Sequence, residues 1–439
     1  MASLAPGATD DASSGSSRQR SVADHILTSA LWLALYTQWL SILPVVMPDQ
    51  IAAIVGPDNP AKAGIAGTIA AVGAIVSLII TPVAGALSDR LRAPRGRRRP
   101  FLISGMLLTC ASLLPLALFG GRGSVFLYAL VILNLQIWWN WTAGAYAGLV
   151  PDVVPAGEQS VASGWLNVMT IGGTILGNVL VWALYRTDRV LPLIGVFIVL
   201  SLVCLMLTLR GGKESPSPGA ASKFDLGAFV RSFFLDPRSN ANMYWVLVTR
   251  LFANMGIWSV FTFLLFYIES VLGLDSDAAV KLLSALLGAG TFVAVPASIF
   301  GARLADRHGL VRVVRITGWI MAAAVSCFAV IAFNPNMAIV AVLTIIFGAA
   351  NGAYGAVDWA LALKVLPAGQ NAGKDMGIWH VSMVLPQIAG PAAMGWLITL
   401  IEKAASARAA YATAFVVAAM WFTLAAALVN RVKIAVQKA

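Results

Sequence analysis

Two ionisable residues, Arg250 and Asp358, stand inside apolar stretches of this 439-residue chain. A lone charge at bilayer depth costs about 2.5–3.5 kcal/mol even on the lenient scale, and such residues mark ion or substrate paths. Arg250 lies about seven residues, or ~10 Å at 1.5 Å per residue, inside the start of its stretch. Asp358 lies a comparable distance before Pro367, where its own stretch ends. Opposite charges at like depth are expected to pair, and a proton taken up by Asp358 would release Arg250. A static salt bridge between two helices is the plainer reading of the same two residues.

A second set of charges lies in a short turn. GALSDRLRAPRGRRRPF, Gly85 to Phe101, sets Asp89, Arg90 and a run of further arginines between two apolar stretches. GARLADRHGLVR repeats the device with Gly301, Asp306 and Arg307. Gly85 and Gly301 are 216 residues apart, and Pro155 and Pro367, in VPAGE and LPAGQ, are 212 apart. Two unrelated marks at nearly one offset predict two similar halves in tandem.

The elements that must carry these residues are twelve apolar spans. They are expected over 26–47, 63–88, 101–119, 124–148, 160–184, 190–209, 243–271, 280–304, 313–333, 337–360, 375–400 and 409–430. Each can cross a bilayer, which takes roughly 20 helical residues. An even number puts both termini on one side, and the arginine turns make that side cytoplasmic. Residues 1–24 read as a disordered cytoplasmic tail, 25–209 as the first six-helix bundle and 210–242 as the cytoplasmic loop between bundles. Residues 243–430 form the second bundle and 431–439 a tail. Within the loop, Phe224 to Phe234 could form an amphipathic surface helix.

Composition agrees. The chain is 59% hydrophobic and 11% charged, against about 25% charged residues in soluble domains. The formal charge of +11 sits in alternate loops rather than on one face, which argues for membrane topology and against nucleic acid. Cys110, Cys204 and Cys327 fall in apolar runs and read as small buried hydrophobes, with no disulfide and no metal site. No paired acids, metal-ligand cluster or nucleophile with a base appears in the spans, so enzyme chemistry is not expected. No cofactor is expected either. Gly369 to Asp375 imitates a phosphate loop but is one residue short and ends on Asp rather than Ser or Thr.

Polar and aromatic residues recur at helical spacing on several spans. Trp32, Tyr36 and Trp39 share the first span, and Gln136 and Asn140 the fourth. Asn167, Thr170, Thr174 and Asn178 stripe the fifth, and Asn254 and Trp258 follow Arg250 on the seventh. Asn351 and Tyr354 precede Asp358 on the tenth, and the eleventh holds His380 and Gln387. Single polar residues usually join helices, but stripes on several spans predict a shared watery cavity. Gly173/Gly177 and Gly348/Gly352 mark close helix packing. Asp152, Glu158, Asp49 and Glu269 read as charges at span ends.

Twin six-span halves with a Gly-x-x-x-Asp-Arg turn after the second span of each resemble the major facilitator superfamily. GRRRPF at Gly96, LVPDVVP at Leu149 and GKDMGIWHVSMVLPQ at Gly373 resemble the sucrose/proton symporters and related glycoside–cation symporters. The resemblance implies an all-α membrane fold of two pseudo-symmetric six-helix bundles rocking about a midplane site. It also implies gating by the turn residues Asp89, Arg90, Asp306 and Arg307. An anion at a helix N-terminus gains about 0.3–1 kcal/mol, and about 2 when partly buried. Asp89 is therefore expected to cap the eleventh span near Asn371 to Asp375, and Asp306 the fifth near Ser160. Where the sucrose symporters place an aspartate in the fourth span this chain has Gln136, their arginine falls on Ala147, and their asparagine on His380. Arg250 and Asp358 are thus the ion-coupling candidates. Trp32, Tyr36, Trp39, Gln136, Asn140, Asn254, Trp258, Asn351 and Tyr354 are the substrate-binding candidates, because sugars need fixed polar partners and aromatic faces. The expected activity is symport of a sugar or glycoside with a proton, or sodium, by a monomer in the plasma (inner) membrane. The alternative is a proton-coupled exporter of an amphipathic molecule.

Overall fold

The computed structural model describes residues 20–94, 96–214, 241–365 and 372–432. The amphipathic segment Phe224 to Phe234, most of the first tail and the side chain of His380 lie outside the described residues. All described elements are helical, and twelve spans are long and apolar enough to cross a membrane. In the first bundle, α1 (Val22–Ser41) and α2 (Met47–Val55) form one span, followed by α3 (Ala61–Arg90) and α4 (Arg99–Phe119). Then come α5 (Val125–Val153), α6 (Gln159–Leu184) and α7 (Leu191–Gly211). The second bundle has α8 (Ala241–Leu272), α9 (Ser276–His308), α10 (Leu310–Ile331), α11 (Met337–Val365), α12 (Ala372–Ala404) and α13 (Ala407–Leu428).

The first span is longer and less regular than its sequence predicts. A π-helical turn, Ile42–Val46, separates α1 from α2. Pro44 lies inside that turn and Pro48 just beyond it, and each removes a backbone donor and crowds the carbonyl one turn earlier. The resulting bulge turns Leu40 and Pro44 toward the interior between the bundles.

Lipid offers no hydrophobic drive for helices to associate, so small residues that let backbones touch set the packing. A Cβ on Gly177 of α6 would fall 2.3 Å from the Thr37 carbonyl of α1. One on Gly348 of α11 would fall 2.9 Å from Gly290 of α9. In the second bundle, Tyr267 of α8 packs on Phe328, Tyr411 and Phe415, and its hydroxyl donates to the Phe328 carbonyl at 2.9 Å.

Cys110 and Cys204 are buried, but Cys327 is exposed, which corrects the expectation that all three are buried. An apolar run does not say which of its faces meets another helix. A thiol is apolar enough to face hydrocarbon.

Among the described residues, polar contacts that join the bundles lie at the face opposite the arginine turns, here the far face. Lys62 of α3 pairs with Glu269 of α8 at 3.7 Å, and the Gly64 amide donates to Thr399 of α12 at 3.0 Å. Arg186, after α6, pairs with Asp277 of α9 at 3.5 Å.

Candidate functional site

Between the bundles lies a cavity of about 560 Å³, bordered by α1, α6, α8, α9, α10, α11 and α12. Arg250 and Asp358 meet on its wall, and the Arg250 guanidinium donates to an Asp358 oxygen. Tyr354, one turn before Asp358, donates its hydroxyl to the other oxygen at 3.2 Å. Asp358 is 6% exposed. A buried ion pair survives only when further hydrogen bonds satisfy its remaining atoms. The spacing explains the supply: positions i and i+4 share a helix face, so Tyr354 and Asp358 point together.

Asn254, Trp258 and Asn351 also line this cavity. The Asn254 amide donates back to the Arg250 carbonyl at 2.9 Å. Trp39 and Gln136 line a narrower adjoining cleft that shares Trp258, Leu40 and Pro44 with the main cavity. Six of the expected residues thus border the main cavity and two more the cleft.

Trp32, Tyr36 and Asn140 border neither. The Trp32 indole donates to Thr170 of α6 at 2.9 Å, and its ring stacks on Tyr146 at 5.2 Å and tilts against Tyr36. Asn140 accepts from Ser77 and Thr81 of α3, at 2.8 and 3.1 Å, and donates to the Gln136 carbonyl at 2.8 Å. Its polar atoms hold α3 against α5, so among the described residues it acts as helix glue.

Asn178 of α6, part of the fifth-span stripe but not among the substrate-binding candidates, is 1% exposed and borders the cavity. Its amide donates to the Thr174 carbonyl at 2.9 Å, and its oxygen has no partner among the described residues. The stripe Thr170, Thr174 and Asn178 was the available signal. Thr291 and Thr344, on α9 and α11, are further wall hydroxyls with no pattern to single them out.

At the arginine face, charge is folded into the first bundle. Arg98, only 4% exposed, donates to Ser88 at 2.6 Å, to Asp152 at 2.9 Å and to Asp89. Arg97 adds two bonds to Asp152, at 3.0 and 2.6 Å. The Asp152 bond raises the already high proton affinity of Arg97, so the pair stays ionised. Glu214, just past α7, accepts the backbone amides of Arg98 and Arg99 at the start of α4. Gly96 makes the turn at φ 106°, where a Cβ would strike Glu214 at 2.4 Å. Asp152, read from the sequence as a charge at a span end, is bound there by both Arg97 and Arg98. Asp89 is described with Arg97 and Arg98, whereas its expected cap on the eleventh span falls where side chains are not described. Arg90 ends α3, and Asp306 and Arg307 lie exposed in the last turn of α9.

Among the described residues no cluster of His, Cys, Asp or Glu could hold a metal ion. The family profile described as Major Facilitator Superfamily matches residues 27–372 and 278–437. A curated relative, the general alpha-glucoside permease of Schizosaccharomyces pombe, is 31% identical over 153 residues, covering 31% of this chain and 28% of that protein. The chain thus matches little more than a quarter of that relative's length. Among solved structures it is similar to the nucleoside transporter NupG, with TM-score 0.68 and 14% identity, covering 94% of this chain and 99% of that one. It is also similar to a bacterial homolog of the human lysosomal transporter Spinster, inward-facing and unoccupied, with TM-score 0.68 and 12% identity over 94% and 97% of the two chains. At such identities the likeness establishes the fold.

Proposed function

The chain belongs to the Major Facilitator Superfamily and is a transporter rather than an enzyme, and from that premise we propose that it carries a sugar or glycoside together with a proton. The carrying observation is the Arg250–Asp358 pair on the cavity wall, with Tyr354 as its third member. While Asp358 is ionised it holds Arg250. A proton on Asp358 removes the charge that holds the guanidinium, and Arg250 turns to a substrate hydroxyl or to a gate. Asn254 and Asn351 offer amides to hydroxyls, and Trp258 offers a face to sugar C–H bonds. The partial likeness to an alpha-glucoside permease supports the substrate class. The positive-inside rule supports a cytoplasmic arginine face and cytoplasmic termini, with a plasma membrane as the proposed location.

The energetics suffice without ATP. One charge moved through 100 mV yields about 2.3 kcal/mol, which sustains a gradient of roughly 50-fold. The apolar part of the wall, Leu264, Leu286, Leu287 and Phe347, favours a second reading, proton-coupled export of an amphipathic molecule.

Uptake of labelled disaccharides into proteoliposomes separates the two. Symport gives accumulation under an inward proton gradient and its loss with a protonophore; a sodium gradient in its place identifies the ion. Proton-driven movement of an amphipathic dye in the opposite direction, with no sugar moved, overturns symport.

A further inference from the structure

Away from the cavity, at the far face, one acid sits where both bundles meet. Asp49 lies on the short helix α2 and is 1% exposed. A buried carboxylate is costly unless its lone pairs are filled. Here three hydroxyls fill them. Tyr185 donates at 2.5 Å and Thr187 at 2.9 Å to one oxygen, and Ser276 donates to the other. Tyr185 and Thr187 follow α6 in the bundle that carries Asp49. Ser276 opens α9 in the other bundle, and its hydroxyl also lies 2.9 Å from that of Thr187.

The neighbouring cross-bundle contacts are weaker. Arg186 and Asp277 are both more than a third exposed, and such pairs contribute little. Lys62 is buried and Glu269 partly so, but they stand 3.7 Å apart, and among the described residues neither Glu269 oxygen accepts a hydrogen bond. Bonds to a buried charge are the strong ones, so Asp49 dominates this face.

We infer that Asp49 is a positioning residue of the transport cycle, whose carboxylate holds the far-face gate shut through Ser276. When the bundles part there, Ser276 leaves with α9 while Tyr185 and Thr187 stay. Asp49 then exchanges one fixed hydroxyl for water. Among the described residues its hydrogen-bond partners Tyr185, Thr187 and Ser276 lie outside the cavity lining, so this role does not depend on which substrate is carried or on whether Asp358 couples a proton.

The test uses the full chain in nanodiscs, with Cys110, Cys204 and Cys327 replaced. Spin labels go on the exposed far-face positions Leu191 and Met337, one per bundle. Removing a hydrogen bond to a charged group shifts such a balance about tenfold. Ser276→Ala and Asp49→Asn should each raise the population with widely separated labels by about that factor, and the double variant no further. Unchanged distances in both single variants overturn the proposal. So does widening in Asp49→Asn without widening in Ser276→Ala, because the acid then acts only within its own bundle. Should Asp49→Asn fail to fold, Ser276→Ala is read beside Thr187→Val, which removes the other contact of the Ser276 hydroxyl: wider separation in Ser276→Ala alone supports the proposal, and equal widening in both overturns it.

Discussion

In the first bundle Gly85 of α3 faces Gly144 of α5, and a Cβ there would lie 3.5 Å from its carbonyl. In the second, Gly301 of α9 faces Ala353 of α11, at 2.8 Å from its Cβ. The same pair of spans packs through the same glycine in both halves. Their cavity walls differ. The second bundle contributes Arg250, Asp358 and Tyr354, whereas the first contributes Thr170, Thr174 and Asn178, with Gln136 in the cleft. Packing is repeated because each half must solve the same helix contacts. Among the described residues that line the cavity, the buried ion pair is not repeated, because taking two charges out of water is costly.

That difference can be broken on its charged side first. Arg250→Leu leaves Asp358 buried without its cation, at an expected cost of about 3–5 kcal/mol. Thermal unfolding in detergent should show a large fall in midpoint, and Arg250→Leu with Asp358→Leu should recover most of it. A double variant no more stable than the single one would mean that the pair is not the stabilising unit.

Asp358→Asn should come next in size. Accumulation should collapse from roughly 50-fold to equilibration, while substrate exchange across the membrane continues. Full uphill uptake by this variant rules out Asp358 as the coupling group. On the uncharged wall, Gln136→Leu should leave accumulation intact and alter only affinity.

Trp258 borders both the cavity and the cleft, so Trp258→Leu should raise the KM for substrate about tenfold, the loss of one aromatic face at roughly 1.4 kcal/mol. The smallest effect is expected at Trp32. Trp32→Phe keeps a ring against Tyr146 but loses the bond to Thr170, about 0.5–1.5 kcal/mol of stability with KM unchanged. A tenfold rise in KM would instead make Trp32 a binding residue.

These two tryptophans show how far the sequence could be read. Both lie in helical stripes of polar and aromatic residues, and spacing alone ranks them equally. Spacing gives a face of one helix; whether that face meets a cavity or another span depends on helix rotation, which packing sets. Arg250 and Asp358 were easier, because two charges at like depth have few other ways to be satisfied. Asp152 and Asp49 were harder. Each stands near a span end, where water is the ordinary partner, and only assembly supplies Arg97 and Arg98 to one and Ser276 to the other.

Local chemistry settled the twelve spans, the tandem halves and the arginine turns, because the cost of placing charge in hydrocarbon is paid residue by residue and needs no partner. The tertiary structure alone decided the break at Pro44, which polar stripes border the cavity, and which acids are sealed from water. Those outcomes depend on surfaces brought together from distant parts of the chain, and no single stretch encodes the orientation of its neighbour.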